Sequence, residues 1–292
     1  MSKGKILIIG NMGKAGVADQ IEALRPWFAE HADVLAVAPV RGELPAGAKE
    51  AALCVVFGGD GTLLSAGRMV AATGVPLLGV NMGKLGFLAE FSVEHLKRHL
   101  DEILAAGVPC TKRMMIEACI TCNGDVAAGR KPSPGAGGKF CSPAVNDVCV
   151  AAGPPFRMID LNVHQGDDHI VSFRGDGLVV ATPTGSTGYN MSLGGPIMEP
   201  TVEAMAVTPM APHSLTVRPI VVKPVPPIRV LASRTNAGTT VIIDGQVSCP
   251  LAQGDAVEVR RAPYELKLVI HPGRRYFQTL SDKLQWGRGP QG

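Results

Sequence analysis

Aromatic residues are scarce in this chain, with 2 Trp, 3 Tyr and 8 Phe among 292 residues. A platform that stacks the bases of single-stranded nucleic acid needs more of them. An excess of one charge is also missing. Lys plus Arg total 28 against 25 Asp plus Glu, a formal +3. Such a balance supplies no electrostatic drive toward DNA or an anionic membrane, so neither nucleic acid nor membrane is expected as a partner. No apolar run approaches the ~20 residues of a membrane helix. Lys3 and Lys5 precede an apolar stretch at 6–9 that stops at Gly10 and Asn11, too short for a secretory leader. The reading is a cytoplasmic protein whose 7 cysteines are reduced thiols. No internal repeat is visible.

What is present is a large apolar fraction, 46%, with 35 Gly and 23 Pro. That composition builds a sizeable core with many tight corners and excludes wholesale disorder. The length suggests about two domains. In the first third, strand and helix signals alternate. Apolar runs at 6–9, 34–40, 53–57 and 76–80 read as strands. Val17, Ile21, Leu24 and Phe28 share one helical face that Pro26 interrupts. Residues 63–72 read as a second helix, and Ser92 as the cap of a third that runs to about 106. This alternation predicts an α/β domain with a doubly wound parallel sheet. From about 110 the runs become short and alternating, at 116–122, 145–151, 158–163, 170–173, 178–181, 228–231, 240–243, 256–261 and 266–270. They predict an all-β, sandwich-like domain. The domains are therefore 1–108 with the tail 271–292, and 109–270. Residues 123–139 are rich in Gly, Pro and Ala and read as a mobile loop, kept soluble by the nearby Lys112, Arg113, Arg130, Lys131 and Lys139. Phe277, Leu280, Leu284 and Trp286 read as the docking face of a short terminal helix.

Three motifs carry chemistry. Gly58-Gly59-Asp60-Gly61-Thr62 follows a buried strand and opens a helix. Its glycines let the backbone approach a ligand, and the N–H groups of the first helical turn favour phosphate. Gly58, Gly59, Gly61 and Thr62 are the phosphate-binding candidates. A carboxylate among such amides repels phosphate unless it holds Mg²⁺ or takes a proton from a hydroxyl, and both jobs belong to phosphoryl transfer. As a mere helix cap Asp60 would have no such role. The P-loop signature fails because Lys84 is followed by Leu85, and the dinucleotide fingerprint fails because Gly10, Gly13 and Gly16 are spaced three and three. The second motif runs from Asp176 through Thr182, Thr184, Ser186, Thr187 and Tyr189 to Ser192. Its density of hydroxyls is hard to justify structurally and suits a base and a ribose. The third is Asn146-Asp147 inside an apolar stretch, a costly placement unless partners are present; vicinal ribose hydroxyls are suitable partners.

With these motifs in order, the chain resembles the NAD kinases. The landmarks are residues 58–62, 79–88, Asn146-Asp147, 182–189, 212–221 and 243–246. The first is shared with lipid kinases and phosphofructokinases. The resemblance implies transfer of the ATP γ-phosphoryl group to the adenosine-ribose 2′-hydroxyl of NAD, with Mg²⁺ or another divalent cation as cofactor. It implies Asp60 as general base with Gly61 beside it. Asn146 and Asp147 would then lie on ribose hydroxyls, and Thr187, Tyr189 and Ser192 around the dinucleotide. Phe87 and Leu88 would wall the pocket, Asp176 would reach the nicotinamide end, and Asp244 would close the site. It also implies a homodimer or homotetramer. Gly188 stands where the family usually has Ala. The alternatives are a lipid or sugar kinase sharing the 58–62 signature, against which the ribose-reading block argues, and a non-catalytic NADP-sensing module. Cys119 and Cys122 on one strand point to opposite faces, which disfavours joint zinc ligation. His95 and His99, one helical turn apart, read as part of a solvated face.

Overall fold

The computed structural model describes residues 3–83, 86–105, 107–127 and 139–285. It divides the chain into two compact units, Met1–Lys112 with Leu266–Gly292, and Arg113–Glu265. Among the described residues no helix is long and apolar enough to cross a membrane.

The first unit runs β1 (Gly4–Gly10), α1 (Val17–His31), β2 (Ala32–Pro39), β3 (Leu53–Gly58), α2 (Asp60–Val70), β4 (Leu77–Asn81) and α3 (Val93–Ala105). The strands are parallel in the order β2-β1-β3-β4. The end of a long strand, Ala256–Val269, adds to β4 with Leu268 beside Leu77. Ile6–Ile9 and Leu53–Phe57 are continuously apolar because both sheet faces are covered, and every one of these residues is 2% exposed or less. Val17, Ile21, Leu24 and Phe28 of α1 pack onto Ile8, Val55 and Phe57. Burying a side chain such as Phe28 contributes ~1.5–3 kcal/mol. Pro26 lies inside α1 without ending it. Ser92 caps α3 through its Oγ, which accepts the His95 N–H at 3.2 Å. Strand order reverses at β1, so the turns leaving β1 and β3 share the sheet edge where α/β folds bind ligands. Asn11 N–H, after β1, donates to the carbonyl of Phe57 at 3.3 Å.

The pair His95 and His99 departs from the solvated-face reading. Both are half-buried, because His271, just past the long strand, packs on them and on Phe91. His271 is 6% exposed. Its Nδ1 accepts the Gly273 N–H at 3.1 Å, so its Nε2 carries the proton and donates to His95 Nδ1, 2.9 Å away. Burial first, then His95, Arg274 and His99, push His271 down to about 4. The unfolded chain takes up this proton near pH 6.5 and the folded chain resists until about pH 4. The His271 contribution to stability is full above about pH 6.5 and falls between there and pH 4. Urea midpoints at pH 7.5 and 5 check this; His271→Phe should shrink the difference.

The second unit adds, in chain order, β5 (Cys110–Thr121), α4 (Asn123–Ala127), β6 (Phe140–Ala144), β7 (Asp147–Ala151), β8 (Ile159–Gln165), β9 (Asp168–Gly175), β10 (Gly177–Ala181), α5 (Tyr189–Ser192), β11 (Met205–Met210), β12 (Ile220–Val222), β13 (Ile228–Arg234), β14 (Thr240–Ile243), β15 (Val247–Pro250) and β16 (Ala256–Val269). Two antiparallel arrays face each other. One is β16-β13-β8-β9 with β5 and β6 attached; the other is β12-β11-β10-β7-β14-β15. Alternating residues such as Leu161, Val163 and Val230 of one array meet Val148, Val180 and Val241 of the other in a common core. The outer face of the second array is apolar too. Cys149, Val179, Ala181 and Ala206 pack there with Met198, which places the hydroxyl-rich segment after β10 against the sheet.

Several expectations change here. Residues 256–261 and 266–269 belong to one strand, in which the fixed φ of Pro263 suits extended backbone, and Ile270 lies just past its end. The supposed loop begins as α4, and Asp255 holds its two ends. The Asp255 carboxylate accepts Asn123 N–H at 3.0 Å and pairs with Lys139 at 3.4 Å. The rest of that segment, with Arg130 and Lys131, lies outside the described residues, as do Lys84, Leu85 and Trp286. The terminal helix α6 (Tyr276–Leu284) buries Leu280 of the expected face, together with Thr279, and half-buries Leu284, but leaves Phe277 66% exposed, so Phe277 is not part of its inward face.

The cysteines are not all thiols. Cys119 and Cys141 stand opposite each other in the β5–β6 ladder, with Cα atoms 4.2 Å apart, and form a disulfide. Cys54, Cys110, Cys122, Cys149 and Cys249 are free. The bridge takes Cys119 away from Cys122 and so removes the zinc pairing. Closing a loop of 22 residues' separation stabilises by about 3 kcal/mol in the chain-entropy account. Reductant should therefore lower the urea midpoint by a corresponding amount, and the double variant Cys119→Ser, Cys141→Ser should no longer respond to reductant.

Candidate active site

In the first unit, Gly58 and Gly59 carry the chain from β3 into α2. Asp60 is the first residue of that helix, and Gly59 is its cap. The Asp60 side chain does not cap the helix. Its Oδ2 accepts the Phe87 N–H at 2.8 Å, and its Oδ1 accepts Leu88 and Ala89 N–H at 3.1 and 3.0 Å. The neighbour Gly86 makes room for this. A Cβ there would lie 1.9 Å from Asp60 Oδ1, so only glycine admits the carboxylate. An ionised carboxyl offers about four acceptor directions. Among the described residues three are used by these amides, and the remaining one is on Oδ2. The carboxylate is thus fixed in orientation and keeps room for one hydroxyl. Gly61, next to it, is exposed, and Thr62 is buried under the turn. Phe87 and Leu88, half-buried, contribute the backbone that holds Asp60. The sequence reading took their side chains as a wall and missed this backbone function; Gly86 was its signal.

In the second unit, Asn146 and Asp147 lead into β7. Asp147 is 6% exposed. Asn146 Oδ1 is buried and has no hydrogen-bond partner in the structure, as a side chain built for a ligand would be. Burial, and then the charge of Asp244, push Asp147 up to about 7. Asp244 follows β14 with φ +48°, a left-handed conformation that Asp tolerates. Its carboxylate faces inward along the chain. Oδ1 accepts Asn146 and Asp147 N–H at 2.7 and 3.1 Å, and Oδ2 accepts Val145 N–H at 3.0 Å.

The hydroxyl-rich segment divides into two sets. Thr182 Oγ1 donates to the Val145 carbonyl at 2.6 Å. Ser186 Oγ donates to the Pro183 carbonyl and accepts the Met198 N–H, at 2.7 and 2.9 Å. Asn190 bonds Ser186, Pro196 and Thr208. These groups are structural, contrary to the expectation that so many hydroxyls needed a ligand. Gly185 lies so close to the chain that a Cβ there would be 2.1 Å from the Asn146 carbonyl, which ties the segment to the Asn-Asp pair. Thr187 is half-buried, while Tyr189 and Ser192 are exposed. Tyr189 feels the charges of Asp147 and Asp176 after burial and Cys149, and its hydroxyl is pushed up. The exposed Asp176 therefore belongs to the same cluster. At Gly188 a methyl would stand 3.6 Å from Asn146 Nδ2 and 4.0 Å from Asp147 Oδ2, but only 3.2 Å from the Gly185 carbonyl, so the alanine usual in the family would need that carbonyl to give by a few tenths of an ångström.

A resident metal does not fit these residues. Among the described residues there is no group of three or more metal-ligating side chains, and Asp60 has three amides on its oxygens.

A carboxylate locked beside the opening turn of a helix, in a chain with a second cluster holding an unpartnered amide oxygen and a buried carboxyl, is the equipment of a nucleotide-dependent phosphotransferase. The description "ATP-NAD kinase N-terminal domain" fits residues 36–108, and "ATP-NAD kinase C-terminal domain" fits 145–271. The NAD kinase of Geobacter sulfurreducens is 39% identical over 236 residues, 80% of this chain and 78% of that protein. The NAD kinase of Rhodopirellula baltica is 32% identical over 282 residues, 97% and 86% of the two chains. The chain belongs to the ATP-NAD kinase family, and its activity is the family's ATP-dependent phosphorylation of NAD. In fold it is similar to yeast NADH kinase, solved with NADH, at TM-score 0.84 and 20% identity over 99% of this chain and 89% of that one. It is also similar to the Archaeoglobus fulgidus NAD kinase, solved with ATP, at TM-score 0.73 and 24% identity over 96% and 98%. The lipid or sugar kinase and the sensing module are not favoured beside these relatives.

Proposed function

We propose that Asp60 takes the proton of the adenosine-ribose 2′-hydroxyl of NAD while that oxygen attacks the γ-phosphorus of ATP. The new bond is O2′–Pγ. The bond that breaks joins Pγ to the bridging oxygen of the β-phosphate, and ADP leaves with the electron pair. The observation that carries this reading is the amide cradle at Phe87, Leu88 and Ala89, which fixes both oxygens of Asp60 and keeps one acceptor direction on Oδ2 for a hydroxyl. Gly58, Gly59, Gly61 and Thr62 supply the phosphate-binding turn. Asn146 and Asp147 take ribose hydroxyls, the unpartnered Asn146 Oδ1 accepting one of them. Thr187, Tyr189 and Ser192 surround the dinucleotide, Asp176 meets its nicotinamide end, and Phe87 and Leu88 flank the reacting group. The divalent cation enters as the counter-ion of the ATP phosphates. The family resemblance further supports a cytoplasmic homodimer or homotetramer. Incubation with NAD, ATP and Mg²⁺, coupled to an NADP-specific dehydrogenase, tests the reading. NADP should accumulate; nucleotide binding without NADP formation would instead favour a sensing module.

A further inference from the structure

We propose that Asp244 is a positioning residue for NAD, acting on the dinucleotide only through Asn146 and Asp147, whose backbone its carboxylate clamps. This rests on the reading that the Asn-Asp pair holds ribose hydroxyls. Asp244 is 7% exposed, and its two oxygens accept three consecutive amides, from Val145, Asn146 and Asp147. In return, Asp244 N–H donates to the Asp147 carbonyl at 3.0 Å. The two segments are therefore bound in both directions. Turn chemistry alone at φ +48° is met by Gly, Asn or Asp. Only Asp adds two acceptor oxygens for three donors. A contact between Asp244 and NAD would have to compete with these charge-assisted bonds.

The clamp also has an electrostatic consequence. The charge acting on the Asp147 carboxyl is that of Asp244 from the β14–β15 turn; the other titratable groups facing it, Cys149 from β7 and Tyr189 from α5, are themselves pushed up, by burial first and further by Asp147. Asp244 is the one whose charge opposes ionisation of Asp147, after burial itself. A carboxylate accepts two ribose hydroxyls better than its acid form does. NAD affinity should accordingly rise with pH as Asp147 ionises, with a midpoint that Asp244 holds high.

The experiment is calorimetric titration of the full chain with NAD from pH 5.5 to 8.5, for wild type, Asp244→Asn, Asp147→Ala and the double variant. In Asp244→Asn the affinity should fall about tenfold at pH 8.5, as expected for one damaged charge-assisted bond, and the midpoint should move to lower pH. With Asp147→Ala the profile should be flat, and adding Asp244→Asn should cost clearly less than it does alone. An equal, pH-independent loss that simply adds to that of Asp147→Ala would show direct contact with NAD and overturn the proposal. Unchanged affinity in Asp147→Ala would instead overturn the ribose assignment itself, and the proposal with it. Should Asp244→Asn fail to fold, wild-type protein carrying ¹³Cγ-labelled aspartate decides. On NAD saturation the Asp147 carboxyl resonance should move and that of Asp244 should barely change; a larger movement at Asp244 would overturn the clamp.

Discussion

Asp60→Asn is expected to lower turnover by about 10²–10⁴ while NAD still binds. An amide cannot take the proton of the 2′-hydroxyl, so the chemical step loses its base. The cradle sharpens this expectation. Asn can keep its oxygen on Leu88 and Ala89 N–H, the pair that Oδ1 accepts. Its NH₂ group must then face the Phe87 N–H, donor against donor, where Oδ2 now accepts at 2.8 Å. Leaving that half-buried donor without an acceptor costs up to about 1–3 kcal/mol, so a modest fall in melting temperature should accompany the loss of turnover. The two effects are separable. Glutamate at this position keeps the charge but cannot enter the space that Gly86 leaves for the shorter side chain, so it should lose both stability and turnover. Were Asp60 only a helix cap, Asn would replace it with little change. Near-wild-type steady-state rates for Asp60→Asn would therefore remove the catalytic assignment. Calorimetry with NAD on the same variant checks that the binding surface survives.

Local regularities were legible in the sequence wherever one physical rule dominated. Ile6–Ile9 and Leu53–Phe57 are apolar throughout because both faces of a parallel strand are covered, and the run length alone reveals it. Ser92 reads as a cap because its side-chain oxygen meets an orphan amide, as it does in the structure. The motif at 58–62 was visible because its glycines are packed into five residues. Long-range pairings were not. Nothing near Asp60 announces that its partners are backbone amides 27 to 29 residues on. Gly86 marks the place, but among 35 glycines one more carries little information. The same holds for Asp244, 97 to 99 residues from the amides that it holds. The hydroxyls misled for a different reason. Thr182 and Ser186 look like ligand donors in the sequence, and only the fold shows that backbone carbonyls already occupy them. The Cys119–Cys141 bridge depends on strand register, which a gap of 22 residues leaves open.

Asp147→Ala is expected to weaken NAD binding by about 10- to 150-fold, the loss of roughly 1.5–3 kcal/mol in charge-assisted hydrogen bonds to ribose hydroxyls. The structure adds an opposite effect on stability. Asp147 is buried at 6% exposure beside a carboxylate that is already committed to three amides, and burial and that charge push it up to about 7. In the unfolded chain the same carboxyl ionises near pH 4. Its contribution to stability is therefore full below pH 4 and is lost as pH rises toward about 7, because the unfolded state releases its proton first. At pH 8 wild-type protein carries a buried negative charge facing that of Asp244. Alanine removes this repulsion at the expense of a small cavity. Urea unfolding at pH 8 should accordingly find Asp147→Ala as stable as wild type or more so, with a shallower decline between pH 5 and 8, while calorimetry at the same pH finds NAD bound far more weakly. A residue kept only for structure behaves in the reverse manner: its truncation lowers stability and touches affinity little. Weakened folding with unchanged NAD affinity would thus strip Asp147, and Asn146 beside it, of the ribose role.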